Sequence, residues 1–368
     1  MGTSADATWL PALEILYARV QAFLDGDPAK APRLGPEDVP KRLRDLQESF
    51  PLDDTDLSII LIAVAPILNS AFEESYRALN REPDAVGPTV DTTLRLAGLD
   101  PLEGADRARF AETSPLRILS LVEVGPVARG LLRQVVRVPE QVVQFLLDHW
   151  QPDPTIARAL VAPTRPPLTD DLLPALSMPD GLPVVIRARA GSAVLDHVRR
   201  FALDALGREP MVFDASLLNL GKDDHDETLR TCARDASMLG TVLVVDYRRA
   251  NPDASVVDAM SLFTYIGAPF IAIVDTRRHL GPWEKVAVTV PLPTLAQRVG
   301  WWTSLAPDAD RTLAQTATHL EPDDIISIGS APTAQALSAA AGASRRSRVQ
   351  TITPEVRLDD VIVSPFIA

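Results

Sequence analysis

ARAGSAVL, residues 188–195, joins an apolar run, LPVVI, to a helical pattern, DHVRRFALDAL. A strand, a turn of small residues and a helix form the setting of a phosphate-binding loop. In such a loop, backbone N–H groups and a lysine hold phosphate, and a Ser or Thr hydroxyl holds Mg²⁺. On that spacing only Gly191 is kept, because alanine replaces both flanking glycines, and Val194 and Leu195 replace the lysine and the hydroxyl residue. The stretch therefore predicts the fold of the loop without its chemistry. On one face of the following helix we expect packing among Val194, Leu195, Val198, Phe201 and Leu206.

Apolar, β-rich runs before and after this stretch predict a parallel sheet. They are LPVVIRA, PMVFDAS, TVLVVDY, PFIAIVDT and KVAVTVPL, and helical patterns separate most of them. Strands that are buried on both faces appear as continuous apolar runs, and alternation with helices is typical of parallel sheets. We therefore predict a three-layer α/β domain over residues 181–304, with further helical stretches after it.

The first part of the chain is predicted to be mostly helical. Apolar residues recur at helical spacing in residues 10–25, in SIILIAVAPIL and in TVDTTLRLAG. RQVVRV alternates like a strand, and Pro139 suits the first position of a closing helix. This order favours a winged-helix-like region over residues 1–152, followed by a Pro-rich linker over 153–180. The cap of the SIILIAVAPIL helix is left open among Asp53, Asp54 and Thr55.

Composition excludes several classes of protein. The chain has 36 Lys and Arg against 49 Asp and Glu, and the net charge of −13 argues against general nucleic-acid binding, which needs a basic surface. Cys232 is the only cysteine, so an intrachain disulfide is excluded and a reducing compartment is favoured. The N-terminus lacks the pattern of a signal peptide, and no apolar run approaches the roughly 20 residues that span a bilayer. We predict a cytoplasmic protein that does not bind membranes.

Two later strands carry the remaining positions of a nucleotide site. TVLVVDYRR has the form of a Walker B strand, with Asp246 where a Mg²⁺-organising carboxylate belongs and Tyr247 in place of the glutamate that activates water. The structural alternative for Asp246 is a strand-end carboxylate hydrogen-bonded to loop amides. PFIAIVDT resembles the sensor strand and ends in Asp275 and Thr276. A vestigial nucleotide site, holding ATP or ADP with Mg²⁺ weakly if at all, would consist of Ala190, Gly191, Ser192 and Asp246.

The order of these strands and motifs resembles the AAA+ ATPase family. VPLPTLAQRVGWWTSL is similar to the passage from the last strand into the lid of that family. The family positions there are a Pro, an Arg and a Trp, here Pro291 or Pro293, Arg298, and Trp301 or Trp302. More narrowly, the chain resembles bacterial ATPases with an N-terminal winged-helix region, a degenerate AAA+ module and a second, intact module. Some of these accompany contractile injection systems.

The resemblance implies a helical lid over residues 305–344 and a linker or tail over 345–368, where VRLDDVIVSP resembles the phrase that introduces the second module. It also implies ATP hydrolysis as the family activity, an AAA+ module in cis or in trans as partner, and self-association. In AAA+ rings an arginine of one subunit can complete the ATP site of its neighbour. The candidates for that role are Arg248, Arg249, Arg277 and Arg278, for which solvated surface arginines are the favoured alternative.

No metal site or catalytic residue is predicted for this chain, and no cofactor is required. The acidic run KDDHDE, residues 222–227, precedes a helix and is explained by capping and by the helix dipole. No spacing of a nucleophile and a base is recognisable.

Three functions compete on these grounds. The favoured one is a non-hydrolysing AAA+ module that acts as a scaffold or docks partners in an AAA+ assembly. The alternative is the N-terminal half of a functional ATPase whose hydrolysis belongs to a downstream module. A DNA-binding regulator is weaker, because TVDTTLRLAG is poor in side chains that reach base edges.

Overall fold

The computed structural model describes residues 5–35, 37–80, 86–125, 130–163, 165–176, 183–218, 225–250 and 255–328. The chain divides into two compact units, Met1–Pro152 and Asp153–Ala368. The end of the predicted lid and the whole of the predicted tail lie outside the described residues. Among the described residues, no helix combines the length and the apolar character needed to cross a membrane.

In its described residues, the first unit consists of helices and a small antiparallel ladder. Its elements are α1 (Ala5–Leu24), α2 (Lys41–Ser49), α3 (Asp54–Leu68), α4 (Ala71–Asn80), α5 (Val90–Ala97), α6 (Gly104–Arg107), α7 (Pro115–Ile118), β1 (Glu123–Val124), β2 (Val136–Arg137) and α8 (Glu140–Leu146). β1 and β2 pair antiparallel, and Thr89 forms an isolated antiparallel bridge with Val135. The strand expected in RQVVRV is therefore confirmed by β2.

The most buried helix of the first unit is α3, and local chemistry explains its two ends. Asp53 is its cap: its side chain accepts from the Asp56 N–H, and the Asp56 side chain accepts from the Asp53 N–H. Near the other end, Pro66 lacks the N–H that would bond the carbonyl of Ile62. The buried hydroxyl of Tyr76, on α4, donates to that carbonyl at 3.0 Å, so the group left over by the proline is satisfied.

The second unit alternates strands and helices. Its elements are α9 (Pro154–Ala157), β3 (Val184–Ala188), α10 (Val194–Leu206), β4 (Pro210–Asp214), α11 (His225–Met238), β5 (Val242–Asp246), α12 (Val256–Ile266), β6 (Phe270–Asp275), β7 (Ala287–Thr289), α13 (Leu295–Leu305), α14 (Leu313–Thr316) and α15 (Pro322–Ile328). Among the described residues, five parallel strands form one sheet in the order β4-β5-β6-β3-β7. The five predicted strands and their parallel arrangement are confirmed.

Both faces of this sheet are covered. Val184 and Ile186 pack in one cluster with residues of α10, and Val185, which points to the opposite face, is equally inaccessible. Such two-sided burial explains why the strands appear in the sequence as unbroken apolar runs.

The Pro-rich segment predicted as a linker packs on the second unit. The Val161 N–H donates to the Val212 carbonyl at 2.8 Å, and the Asp214 N–H donates to the Ala159 carbonyl at 2.8 Å. These bonds cover the outer edge of β4, which would otherwise present unpaired backbone groups. The segment is thus part of the α/β unit along this edge.

The lid, defined here as α13–α15, has its own apolar core. The indoles of Trp301 and Trp302 are buried in a cluster that also includes Leu168 and Leu173 of the Pro-rich segment. Trp301 Nε1 donates to the Leu172 carbonyl at 2.8 Å. Because α13 packs with α14 and α15, the lid core begins at α13, before residue 305.

Candidate functional site

The loop between β3 and α10 has a backbone shape that depends on Gly191. This residue has a φ of +77°, in the region that favours glycine. A Cβ at this position would also lie 2.1 Å from the carbonyl oxygen of Thr318, which precedes α15. Ala193, the residue before α10, has a left-handed φ of 54° as well. The loop therefore curls tightly, and the backbone before α15 lies directly against it.

A carboxylate of the protein itself binds this loop. Glu321, the residue before α15, accepts from the Gly191 N–H through Oε1 at 3.2 Å and from the Ala193 N–H through Oε2 at 2.8 Å. Glu321 is only 6% exposed to solvent. The N–H groups lie at the N-terminus of α10, where unpaired amides and the helix dipole favour an anion. The loop thus holds an anion, and that anion comes from the lid.

Arg248 lies between Glu321 and Asp246. Its Nη1 donates to Glu321 Oε1 at 2.9 Å, and its Nη2 donates to Asp246 Oδ2 at 2.8 Å. Its backbone N–H also donates to Asp246 Oδ1 at 3.0 Å, which is the loop-amide bond that the structural alternative for Asp246 predicts. Burial lowers the pKa of Arg248, but the two carboxylates more than offset it, so the pKa is raised and the guanidinium stays charged.

The residues that replace the lysine and the hydroxyl residue belong to the core. Val194 is fully buried, and Leu195 packs against the same cluster, which also contains Val198, Phe201 and Leu206, as the sequence predicts. Ser192 is fully buried too, and its Oγ has no hydrogen-bond partner among the described residues. The loop therefore contains a hydroxyl at Ser192, whereas the position whose hydroxyl would bind Mg²⁺ is occupied by Leu195.

Tyr247 stands where an ATPase would place its water-activating glutamate. The ring is buried, and its hydroxyl has no hydrogen-bond partner in the part of the chain that the structure describes. The guanidinium of Arg278 lies 5.9 Å from the ring centroid, and its Nη1 donates to the Tyr247 carbonyl at 3.4 Å. This position offers an apolar ring and no carboxylate, so it supplies no general base.

The four arginines considered for action in a neighbouring subunit lie in different surroundings. Arg248 is largely buried and ion-paired within its own chain, and Arg278 lies over the ring of Tyr247. Both side chains are therefore engaged inside their own subunit, unlike a solvated arginine that extends toward a neighbouring one. Arg249 and Arg277 are exposed after β5 and β6.

In this loop, the groups that would hold Mg-ATP are either bonded within the chain or replaced by apolar residues. The Glu321 carboxylate takes the N–H groups that would face phosphate, and buried Val194 replaces the charged lysine. No group of His, Cys, Asp or Glu in the described residues has the arrangement of a metal site. Sequence reasoning named Gly191 and Asp246 as candidates but did not name Glu321, since a glutamate before a helix carries no local sign of a contact 128 residues away.

A second buried ion cluster links the Pro-rich segment to α10 and α15. The guanidinium of Arg165 donates to Asp196 Oδ1 at 2.8 Å and to Asp196 Oδ2 at 2.7 Å, and its Nε lies 3.0 Å from Asp323 Oδ1. The Leu168 N–H also donates to Asp196, at 2.9 Å. Burial lowers the pKa of Arg165, and the bonds to Asp196 and the charge of Asp323 more than offset this, so the pKa is raised. Through Arg165, the Pro-rich segment is thus ion-paired with both α10 and α15.

The comparison with known proteins gives a family match that covers most of the first unit. No curated protein matches the chain. A family model described as "Winged helix domain, variant" matches residues 34–160, a range that includes α2 to α8 and the β1–β2 ladder. The helical N-terminal region therefore contains a winged-helix domain, and a five-stranded parallel α/β sheet follows it among the described residues.

Proposed function

We propose that the second unit is a degenerate AAA+ module that does not hydrolyse ATP, and that the chain acts as a scaffold or partner-docking part of an AAA+ assembly. The observation that carries this proposal is the Glu321 carboxylate on the loop N–H groups. Because a carboxylate of the chain itself occupies the position of the phosphate, the module keeps its fold for a structural role and does not bind or hydrolyse nucleotide.

The position of the site supports the AAA+ part of the proposal. β6 lies between β3 and β5, so the loop after β3 and Asp246 at the end of β5 meet at the carboxyl edge of the sheet. Open α/β sheets bind their ligands outside this edge, where the strand order reverses. The loop is thus where a nucleotide site belongs, although its residues form an internal ion pair.

Energetics favour the closed, unliganded loop. ATP would have to displace Glu321 from Arg248, and both side chains are largely buried. ATP therefore binds only if its phosphates replace both the bonds of Glu321 to the loop N–H groups and its ion pair with Arg248.

The negative net charge of the first unit favours protein partners over nucleic acid. Residues 1–152 contain 23 Asp and Glu against 15 Lys and Arg, a net charge of −8. Several of its cations also pair with carboxylates one helical turn away, as in Lys41–Asp45, Arg77–Glu73 and Arg95–Asp91. An acidic surface with paired cations repels the phosphate backbone of nucleic acid.

The decisive experiment is calorimetric titration of the whole chain with ATP and ADP, with and without Mg²⁺, alongside a phosphate-release assay. We expect no saturable heat up to about 1 mM nucleotide, no change in melting temperature and no turnover. Binding tighter than about 100 μM, or turnover that Asp246→Ala abolishes, would refute the non-hydrolysing module.

The winged-helix match gives a second candidate, a DNA-binding regulator. Its test is a titration of labelled duplex DNA at low salt, where electrostatic binding is strongest. Flat curves would remove this candidate, whereas saturable binding that weakens steeply with salt would favour it over the scaffold.

A further inference from the structure

We propose that a cavity in the first unit, bounded by α1, α3, the end of α5 and residues 28–34, binds a small organic anion. The guanidinium groups of Arg19 and Arg33 hold its carboxylate or phosphate head, and apolar side chains of the helices pack against its body. This role of the first unit goes beyond the proposed function, because it involves neither a nucleotide nor an AAA+ partner.

The cavity has the size and the walls of a small-molecule site. Its volume is about 490 Å³, and such sites typically range from roughly 300 to 1,000 Å³. α3 contributes Ser58 and Leu61, which lie on one face of that helix, and α1 contributes Ile15 and Leu16. The apolar part of such a wall buries the body of a ligand, while a few polar and charged groups fix its orientation.

Arg19 of α1 brings an incompletely paired guanidinium to the wall of this cavity. Its Nη1 donates to the Pro32 carbonyl at 3.0 Å, and a Cβ at Gly98, at the end of α5, would lie 3.2 Å from its Nη2. Its Nε is shielded from solvent and has no hydrogen-bond partner among the described residues. Because a buried donor without an acceptor is costly, an anion at this guanidinium would remove a cost that the free chain carries.

Arg33 lines the same cavity and adds a second positive charge. Among the described residues, neither Arg19 nor Arg33 forms an ion pair with a carboxylate. Arg77 and Arg109 of the same unit, by contrast, are both ion-paired. Burial lowers the pKa of Arg19, and the like charge of Arg33 lowers it further. An anion between two like charges replaces their repulsion by attraction.

The charge balance of the cavity selects the ligand class. Asp54, at the start of α3, also lines the cavity, and its Oδ1 accepts from Gln47 Nε2 at 3.1 Å. Together with the two arginines, the lining carries two positive charges and one negative charge. A guanidinium can donate two parallel N–H bonds to the oxygens of a carboxylate or a phosphate, so these head groups fit it best.

The structural alternative assigns Arg19 only to the carboxyl end of α5, where a cation interacts favourably with the helix dipole. One arginine is enough for that role, and the repulsion from Arg33 opposes it. A bound anion accounts for both arginines and for the space beside them. Both arginines also precede residue 34, where the family match begins, so their charges lie outside the matched domain.

The test uses the full chain and a series of straight-chain probes: sodium butyrate, hexanoate and octanoate, together with hexyl phosphate. Hexanamide is the neutral counterpart of hexanoate, and sodium chloride at equal ionic strength is the reference. Ligand-observed NMR titration measures the affinity, and hydrogen exchange of residues 29–34 reports the location.

Three variants carry the same loss of a guanidinium at different places. Arg19→Met and Arg33→Met remove the two charges of the cavity, and Arg77→Met removes one on α4 that is paired with Glu73 outside it. Arg33 is exposed, so Arg33→Met is expected to fold and keeps the test decisive if Arg19→Met does not.

We expect the wild type to bind hexanoate saturably, with an affinity that rises about threefold for each methylene added between butyrate and octanoate. Hexanamide should bind at least tenfold more weakly than hexanoate, and bound hexanoate should slow exchange in residues 29–34. Arg19→Met should weaken binding at least tenfold and Arg33→Met at least threefold, whereas Arg77→Met should match the wild type. Tighter binding of hexyl phosphate than of hexanoate would identify phosphate as the preferred head group, and the reverse order would identify carboxylate.

The site would be overturned if octanoate and hexyl phosphate showed no saturable binding below about 50 mM, and Arg19 would then keep only its place at the end of α5. Equal affinity for hexanoate and hexanamide would also overturn it, as would equal binding by Arg33→Met and Arg77→Met. These failures are separate from that of the proposed function, which fails on ATP binding or turnover by the wild type.

Discussion

Arg165 provides a sharp test of how the Pro-rich segment is held on the α/β unit. Its side chain is 8% exposed, and that of its partner Asp196 is 4% exposed, so solvent screens this pair very little. Arg165→Met keeps a long apolar stem and removes the guanidinium. The Asp196 carboxylate then keeps the Leu168 N–H as a donor but loses both bonds from Arg165.

The expected cost follows from leaving a buried charge without its counter-ion. Removing one partner of a buried pair costs about 3–5 kcal/mol of unfolding free energy. For a unit of roughly 200 residues, each kcal/mol lowers the melting temperature by about 2–4 °C. We therefore expect Arg165→Met to melt roughly 10 °C below the wild type. Combined with Asp196→Asn, which removes the stranded charge and keeps an oxygen for Leu168, it should recover at least half of that loss.

The assay is thermal unfolding followed by tryptophan fluorescence, since Trp301 and Trp302 are buried in the lid core. Arg200→Met is the matched control: Arg200 also joins α10 to the Pro-rich segment, through Asp170, but that pair is exposed. Its loss should cost at most about 1 kcal/mol. Equal shifts for the two arginine variants, or no recovery in the double variant, would refute the assignment of the stability to the buried pair.

Three further outcomes follow from single positions. Gly191→Ala should cost at least twice the roughly 1 kcal/mol expected for Gly207→Ala, because both have positive φ but only a Cβ at 191 meets the Thr318 carbonyl; similar melting temperatures would contradict this. The Cys232 thiol is fully buried and burial raises its pKa, so a thiol reagent should label it only as the unit unfolds, and rapid labelling of the native chain would disprove its burial. Burial raises the pKa of Asp235 to about 6. Its protonation therefore stabilises the folded state as pH falls through 6, and the wild type should gain up to about 3 kcal/mol over Asp235→Asn between pH 7 and 4; a constant difference would exclude the shift.

The sequence by itself determined the elements of the second unit and much of what the loop lacks. The five strands, the turn at Gly191 and the helix after it are encoded in consecutive residues, through apolar runs, a glycine and helical periodicity. The replacement of lysine by Val194 is likewise visible at a single position, and its packing with Val198 follows from helical spacing. The winged-helix character of the first unit also followed from the order of its local patterns.

Only the tertiary structure decided what fills the site. Glu321 meets the loop across 128 residues, and Arg165 meets Asp196 across 31. Neither contact leaves a mark in the sequence near its partner, because the donor that a buried carboxylate reaches depends on the path of the chain and on the order of the strands. Periodicity and propensity describe neighbours along the chain, whereas an ion pair is selected by the geometry of groups that folding brings together.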